Sequence, residues 1–306
     1  MKYVYGPVPS RRLGFSLGVD LVPYKTCTLN CIYCQLGRTT KKTIQRKLYT
    51  QKDNVLQEIK EVLNRKQHID YITFSGSGEP TLNSDIGILI REIKKLTTIP
   101  VAVLTNGTLI FREDVQNDLA VADVVLPSLD AASQEVFRKI NRHHQALKIN
   151  TIIDGLKKFR ILYKGQLWLE IMLVKSFNDN KKELIKIKDV VSGIKPNRVY
   201  LNTVVRPPSE IYAKPLSRDE MIEVKNFLDT SCEVIAEFHG EKVAEAQNVE
   251  DAIVEMAKRR PVTVIDIANV IGISEANAKQ MIKRLKAKSR LKEKQYQGEK
   301  YYSYTM

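Results

Sequence analysis

The sequence predicts an α/β fold: a parallel sheet wrapped by helices, then a small helical domain ending in a hairpin. Three observations predict it. Before residue 240, six short apolar runs alternate with amphipathic stretches, the pattern of βα units around a parallel sheet. Polar or glycine-rich residues follow the apolar runs: Gly76-Ser77-Gly78-Glu79-Pro80, Asn106-Gly107, Ser128 with Asp130, and Asn202 to Arg206. Such folds build their sites at the carboxyl ends of the strands, so these groups share one rim. Beyond residue 248 the pattern becomes that of three helices and two short strands.

Taken in order, Gly6 to Gly14 reads as an extended segment stiffened by Pro7 and Pro9. The first strand spans 16–22. A helix covers 51–66, and the second strand 70–75 precedes a helix over 84–96 with Ser84 as its cap. Strands follow at 101–105, 124–129, 167–174 and 198–204, with helices over 150–162 and 180–191 among the intervening stretches. His239-Gly240-Glu241-Lys242 reads as a linker and divides the chain into domains 1–240 and 248–306. In the second domain, Pro261 and Gly272 close the first two helices and Ser274 caps the third. Strands at 291–295 and 300–304 flank Gln297-Gly298-Glu299.

The chain has 306 residues, of which 43% are hydrophobic, enough for a sizeable core. No apolar run is long enough to span a membrane, and the first residues lack a signal peptide's apolar centre, so a cytoplasmic protein without membrane partners is expected. The formal charge of +14 favours polyanionic partners only weakly, because the excess is spread along the chain.

The most specific signal is Cys27-Thr28-Leu29-Asn30-Cys31-Ile32-Tyr33-Cys34, a C-x3-C-x2-C spacing. Three thiolates can hold three irons of a [4Fe–4S] cube and leave the fourth open to a chelating small molecule. A structural zinc site wants four ligands, usually in two pairs, and the remaining cysteine, Cys232, lies far downstream. Disulfides do not suit a cytoplasmic chain.

This motif resembles that of the radical S-adenosylmethionine (radical SAM) superfamily. The resemblance implies a partial (β/α)6 barrel, a [4Fe–4S] cluster on Cys27, Cys31 and Cys34, and SAM bound at the open iron. It also implies reductive cleavage of SAM to a 5′-deoxyadenosyl radical, fed by an electron donor such as ferredoxin or flavodoxin. Ser77-Gly78-Glu79 resembles the superfamily's G-G-E loop for the methionyl ammonium, with Ser77 at the first glycine's place. Asn106 matches a Thr-Asn-Gly turn of related barrels, or is a plain Asn-Gly turn. Ser128 and Asp130 match residues that bind the ribose, although Asp130 also suits a cap for a helix starting near Ser133. Tyr33 resembles the aromatic residue whose backbone meets the adenine.

Arg206 suits either the SAM carboxylate or a solvated loop. Arg11 and Arg12 suit either an anionic substrate group or barrel carboxylates. Glu170, Asn178 and Asp179 suit the adenine's surroundings or, for the last two, a helix cap. Cys232 reads as a buried small residue rather than a hydrogen-atom donor.

The segment from Tyr3 to Gly37 resembles a group of prokaryotic radical SAM iron–sulfur oxidoreductases similar to a tRNA wyosine synthase. The chain lacks the further cysteines of that enzyme's second cluster. The C-terminal domain resembles a winged helix-turn-helix, and residues 251–306 hold twelve Lys/Arg against six Asp/Glu. The leading expectation is therefore a radical SAM enzyme acting on a tRNA base. The alternatives are a radical SAM enzyme acting on a protein or small metabolite, and a cluster-based redox sensor that binds DNA.

Overall fold

The computed structural model describes residues 1–228, 232–235 and 249–305. The expected linker at 239–242, and with it the domain division, lies outside the described residues.

The chain opens with an antiparallel pair, β1 (Val4–Ser10) and β2 (Gly14–Val19). Two short strands, β3 (Thr26–Cys27) and β4 (Lys41–Lys42), pair in parallel and bracket the cysteine loop. Then come α1 (Lys52–Leu63), β5 (Tyr71–Phe74), α2 (Ile86–Leu96), β6 (Val101–Thr105), α3 (Glu113–Leu119) and β7 (Val124–Pro127). After α4 (Gln134–Asn141) and α5 (Ile149–Leu162) follow β8 (Gln166–Leu173), α6 (Lys181–Ile194), β9 (Arg198–Thr203), α7 (Arg218–Leu228) and β10 (Cys232–Val234).

The eight-stranded sheet runs β1-β2-β5-β6-β7-β8-β9-β10. From β2 to β10 every pairing is parallel. Six of these strands are those the apolar runs predict. Both faces are covered, which is why Val101-Ala102-Val103 and Val124-Val125-Leu126 are buried without alternation. On one face Val103, Val125, Leu167 and Leu201 pack with helix residues such as Ile59, Ile90 and Phe159. On the other, Ala102, Leu126, Trp168 and Tyr200 close around Leu13, from the turn between β1 and β2.

Several details differ from expectation. The stiff segment at 6–14 contains most of an edge strand, β1, which the prolines disguise because Pro7 and Pro9 interrupt any alternating pattern. Ser84 does not cap α2: the helix starts after Asp85, whose N–H is taken by Asn83 Oδ1 at 2.9 Å.

The C-terminal part comprises α8 (Val249–Arg259), α9 (Val264–Ile271), α10 (Glu275–Ala287) and a hairpin of β11 (Leu291–Tyr296) with β12 (Glu299–Tyr304). Thr263 and Asp266 form a capping box on α9, Gly272 ends that helix at φ +76°, and Ser274 caps α10. Ile253, Ile267, Ile282 and Leu285 centre a separate apolar core. This part rests on the sheet's carboxyl rim. Tyr296 Oη donates to the Val204 carbonyl at 2.9 Å and Tyr301 Oη to that of Val205 at 3.1 Å.

Candidate active site at the cysteine loop

The cysteine loop is held on three sides. Ile32, its apolar centre, is buried among Ile140, Val174 and Val204. Its backbone N–H donates to the Ile140 carbonyl at 2.9 Å, and that of Asn30 to Asn141 at 2.9 Å, so the end of α4 fixes the loop. On the outer side Glu210 accepts from Arg38 Nε at 3.0 Å and from Arg142 Nη1 at 2.7 Å.

The three thiols are half-buried and line one cavity of about 420 Å³. Burial pushes all three up, Cys27 to about 12 with the Glu79 carboxylate adding to it. Two side-chain amides point at sulfur: Asn106 Nδ2 to Cys27 and Asn141 Nδ2 to Cys31, each at 3.4 Å. Half-buried thiols that receive N–H donors suit thiolate ligands, whose charge a bound metal would offset. Among the described residues no three His, Cys, Asp or Glu side chains converge on a single ion. A cube takes each thiolate on a separate iron and needs no such convergence. The donor set therefore fits the cluster.

Beside the cysteines, the loop after β5 is pressed onto the strand exit. Gly76 has φ +136°, and a Cβ there would lie 2.5 Å from the Asp20 carboxyl carbon. Ser77 donates to Asp20 Oδ2 from its N–H at 3.0 Å and its hydroxyl at 2.5 Å. At Gly78 a Cβ would meet the Thr26 carbonyl oxygen at 2.0 Å, so the loop closes against the residue before Cys27 only without a side chain.

Of the residues the sequence nominates, Tyr33, Ser77, Gly78 and Arg206 share the main cavity with the three cysteines. Asn106, Ser128 and Asp130 line a narrow crevice next to it, shared with Leu29 and Asn141. Glu79 lines neither. It is buried and accepts from Thr81 N–H at 3.0 Å, the Thr81 and Thr105 hydroxyls at 2.6 Å each, and Asn106 N–H at 2.7 Å. It thereby aims the Asn106 amide at Cys27.

Asp130 is enclosed too, accepting from Tyr33 Oη, from Asn141 Nδ2 at 2.7 Å and from Met172 N–H at 3.0 Å. It caps no helix: Glu183 takes the Ala132 and Ser133 N–H groups at 2.7 and 2.9 Å. Asn178 is buried against the Asp130 carbonyl, and Asn180 caps α6. Cys232 lies buried in β10, in the main core.

Arg12 pairs with Glu170 at 2.7 Å, as one of its two readings requires. Arg11 donates to Asn202 Oδ1 at 3.3 Å, and Arg206 stands 3.8 Å from Asp266 on α9. Sequence reasoning missed Asp20, Asn141, Arg259 and Arg260. Arg259 ends α8, Arg260 follows it, and both line the same cavity. Burial, then Arg206, depresses Arg260 to about 10; burial, Arg206 and Arg12 do the same to Arg11.

A family model described as the radical SAM superfamily matches residues 21–187, from the cysteine loop to α6. The chain belongs to the radical SAM superfamily. A UPF0026 protein of Methanocaldococcus jannaschii is 33% identical to it over 99% of this chain and 96% of that protein. A protein of Brachyspira hyodysenteriae that carries the name GTPase Obg is 39% identical over 97% of this chain, which spans 44% of that protein's length. Among solved structures, a radical SAM methyltransferase from Sphaerobacter thermophilus aligns with a TM-score of 0.55 at 15% identity, over 72% of this chain and 65% of that one. That likeness shows the fold, a partial radical SAM (β/α) barrel. The chain is a radical SAM enzyme. No helix among the described residues is long and apolar enough to cross a membrane.

Proposed function

We propose that this radical SAM enzyme acts on a small metabolite that enters the cavity between the cysteine loop and α8. Cys27, Cys31 and Cys34 would hold a [4Fe–4S] cluster. Bound there with SAM, and reduced by a ferredoxin or flavodoxin, the cluster would supply the electron that cleaves SAM to a 5′-deoxyadenosyl radical. Asn106 and Asn141 steady the thiolates. Ser77 and Gly78 offer backbone groups to the methionyl end of SAM, and Tyr33 flanks the adenine. Ser128 and Asp130 lie toward the ribose, with Asp130 acting through Tyr33 and Asn141. Glu79 is a positioning residue for Asn106.

The observation that carries the metabolite reading is the location of α8, whose Met256 and Arg259 line the cavity with the cysteines, as does Arg260 just after it. A roof over the reacting centre suits a ligand that can be enclosed. We read the C-terminal part as a winged-helix unit used in that way. Its α10 favours nucleic acid less than its sequence does, because Lys279, Lys286 and Lys288 are already paired with Glu275, Glu293 and Glu250. In the test, reconstituted protein with SAM and dithionite receives cell extract split into low-molecular-mass, RNA and protein fractions. The low-molecular-mass fraction should raise 5′-deoxyadenosine formation most. Stimulation by the RNA fraction alone would return the tRNA base to the lead.

A further inference from the structure

Among the described residues the main cavity is lined by six cationic side chains, Lys25, Arg11, Arg12, Arg206, Arg259 and Arg260, against one carboxylate, Glu170. Two are balanced by neighbours: Arg12 by Glu170 at 2.7 Å, and Arg259 by Glu255 at 2.5 Å with Asp20 at 3.8 Å. Among the described residues Arg206 has only Asp266, at 3.8 Å. Among the described residues neither Arg11 nor Arg260 has an ion pair, and Arg260 Nη2 is buried without a hydrogen-bond partner. Guanidiniums gathered this way repel one another and lose hydration, so the arrangement wants an anion.

The cofactors do not provide enough. SAM carries a sulfonium, an ammonium and a single carboxylate, and a cube with three thiolates roughly cancels the cation that remains. A substrate must bring the rest of the negative charge. Arginine forks match phosphate oxygens two at a time. A phosphodiester within a nucleic acid has one charge and a chain leaving on both sides, whereas a terminal phosphate has more charge and one free end. Several converging guanidiniums under a roof suit the terminal group.

We propose that Arg11, Arg206 and Arg260 form a subsite for a terminal phosphate or diphosphate of the substrate, with α8 supplying its roof. This rests on the metabolite reading above and narrows it to phosphorylated compounds. It gives the C-terminal part a role in the active site: Arg260 is its contribution to substrate binding.

The test is calorimetric titration of the full-length protein with inorganic pyrophosphate at fixed ionic strength. The native protein should show one site. Arg260→Gln and Arg11→Gln should each weaken it about tenfold or more, as loss of a charge-assisted pair does, while Lys283→Gln on α10 should not. Arg260→Lys, which keeps the charge but not the fork, should fall between and serves if the glutamine variant unfolds. Unchanged binding in folded Arg260 and Arg11 variants would overturn the proposal, as would equal loss in Lys283→Gln. Displacement of pyrophosphate by stoichiometric tRNA would overturn it in favour of nucleic acid. The spectral response of the cluster to SAM, recorded on the same native protein, judges the radical SAM reading separately. Pyrophosphate binding without that response would sink the cofactor assignment and leave the subsite standing.

Discussion

Arg259, at the end of α8, lies over the ring of Tyr5 on β1, its guanidinium carbon 4.3 Å from the ring centroid. Tyr5 in turn covers Gly18 on β2, where a Cβ would come within 2.1 Å of the ring, and its hydroxyl meets Ser75 Oγ at 2.9 Å. The stack Gly18–Tyr5–Arg259 seats the C-terminal part on the barrel beside the glycine-rich loop. Arg259→Ala would remove the cation–π contact and leave Asp20 without its cationic neighbour. We expect a stability loss of about 3 kcal/mol and earlier proteolysis near residue 249. Denaturant unfolding and limited trypsinolysis check this; an unchanged midpoint and digestion pattern would remove the stack from the account.

Gly18→Ala should act through the same stack from below. The added methyl displaces Tyr5, so α8 should loosen and pyrophosphate affinity should fall even though residue 18 carries no charge. Full affinity in a folded Gly18→Ala protein would mean that the roof is not needed for the anion.

Glu79→Ala should reduce retained iron as well as stability. Its carboxylate accepts four hydrogen bonds, one of them from the residue whose amide points at Cys27. Iron and sulfide analysis after reconstitution, with the apoprotein's melting temperature, measures both effects. Full iron content with only SAM affinity lost would make Glu79 a direct cofactor ligand instead.

Glu210 gives a pH-dependent prediction. Hydrogen bonds from Arg38 and Arg142 hold its carboxyl below the ordinary 4.5. A depressed value in the folded state stabilises above the unfolded value and ceases to do so as pH falls through the folded one. Glu210→Gln should therefore be less stable than the native apoprotein at pH 7, with the gap closing below about pH 4.5. Urea midpoints across that range decide; a gap that widens in acid would contradict the pairing.

Much of this was legible in the sequence because its causes are local. Runs such as Val101-Ala102-Val103 announce strands buried on both faces, and the spacing of Cys27, Cys31 and Cys34 needs only eight consecutive residues. Gly272 and Ser274 mark helix ends by their own chemistry. What stayed hidden depends on residues far apart in the chain. Asp20 looks like one more residue of the first strand until Ser77 and Arg259 close on it. Arg259 and Arg260, before Pro261, look like solvated charges at a helix end until α8 docks. Glu79 looks like a ligand for the cofactor until Thr81, Thr105 and Asn106 surround it.

The central claim is that three cysteines hold a cube with one iron open to SAM, and electron paramagnetic resonance of the reduced protein tests it most directly. Anaerobically reconstituted protein should bind about four irons. Its reduced [4Fe–4S] signal should change shape when SAM is added, and should be absent from Cys31→Ala but present in Cys232→Ala. A full signal that SAM leaves unchanged, or a full cluster in Cys31→Ala, would contradict the account.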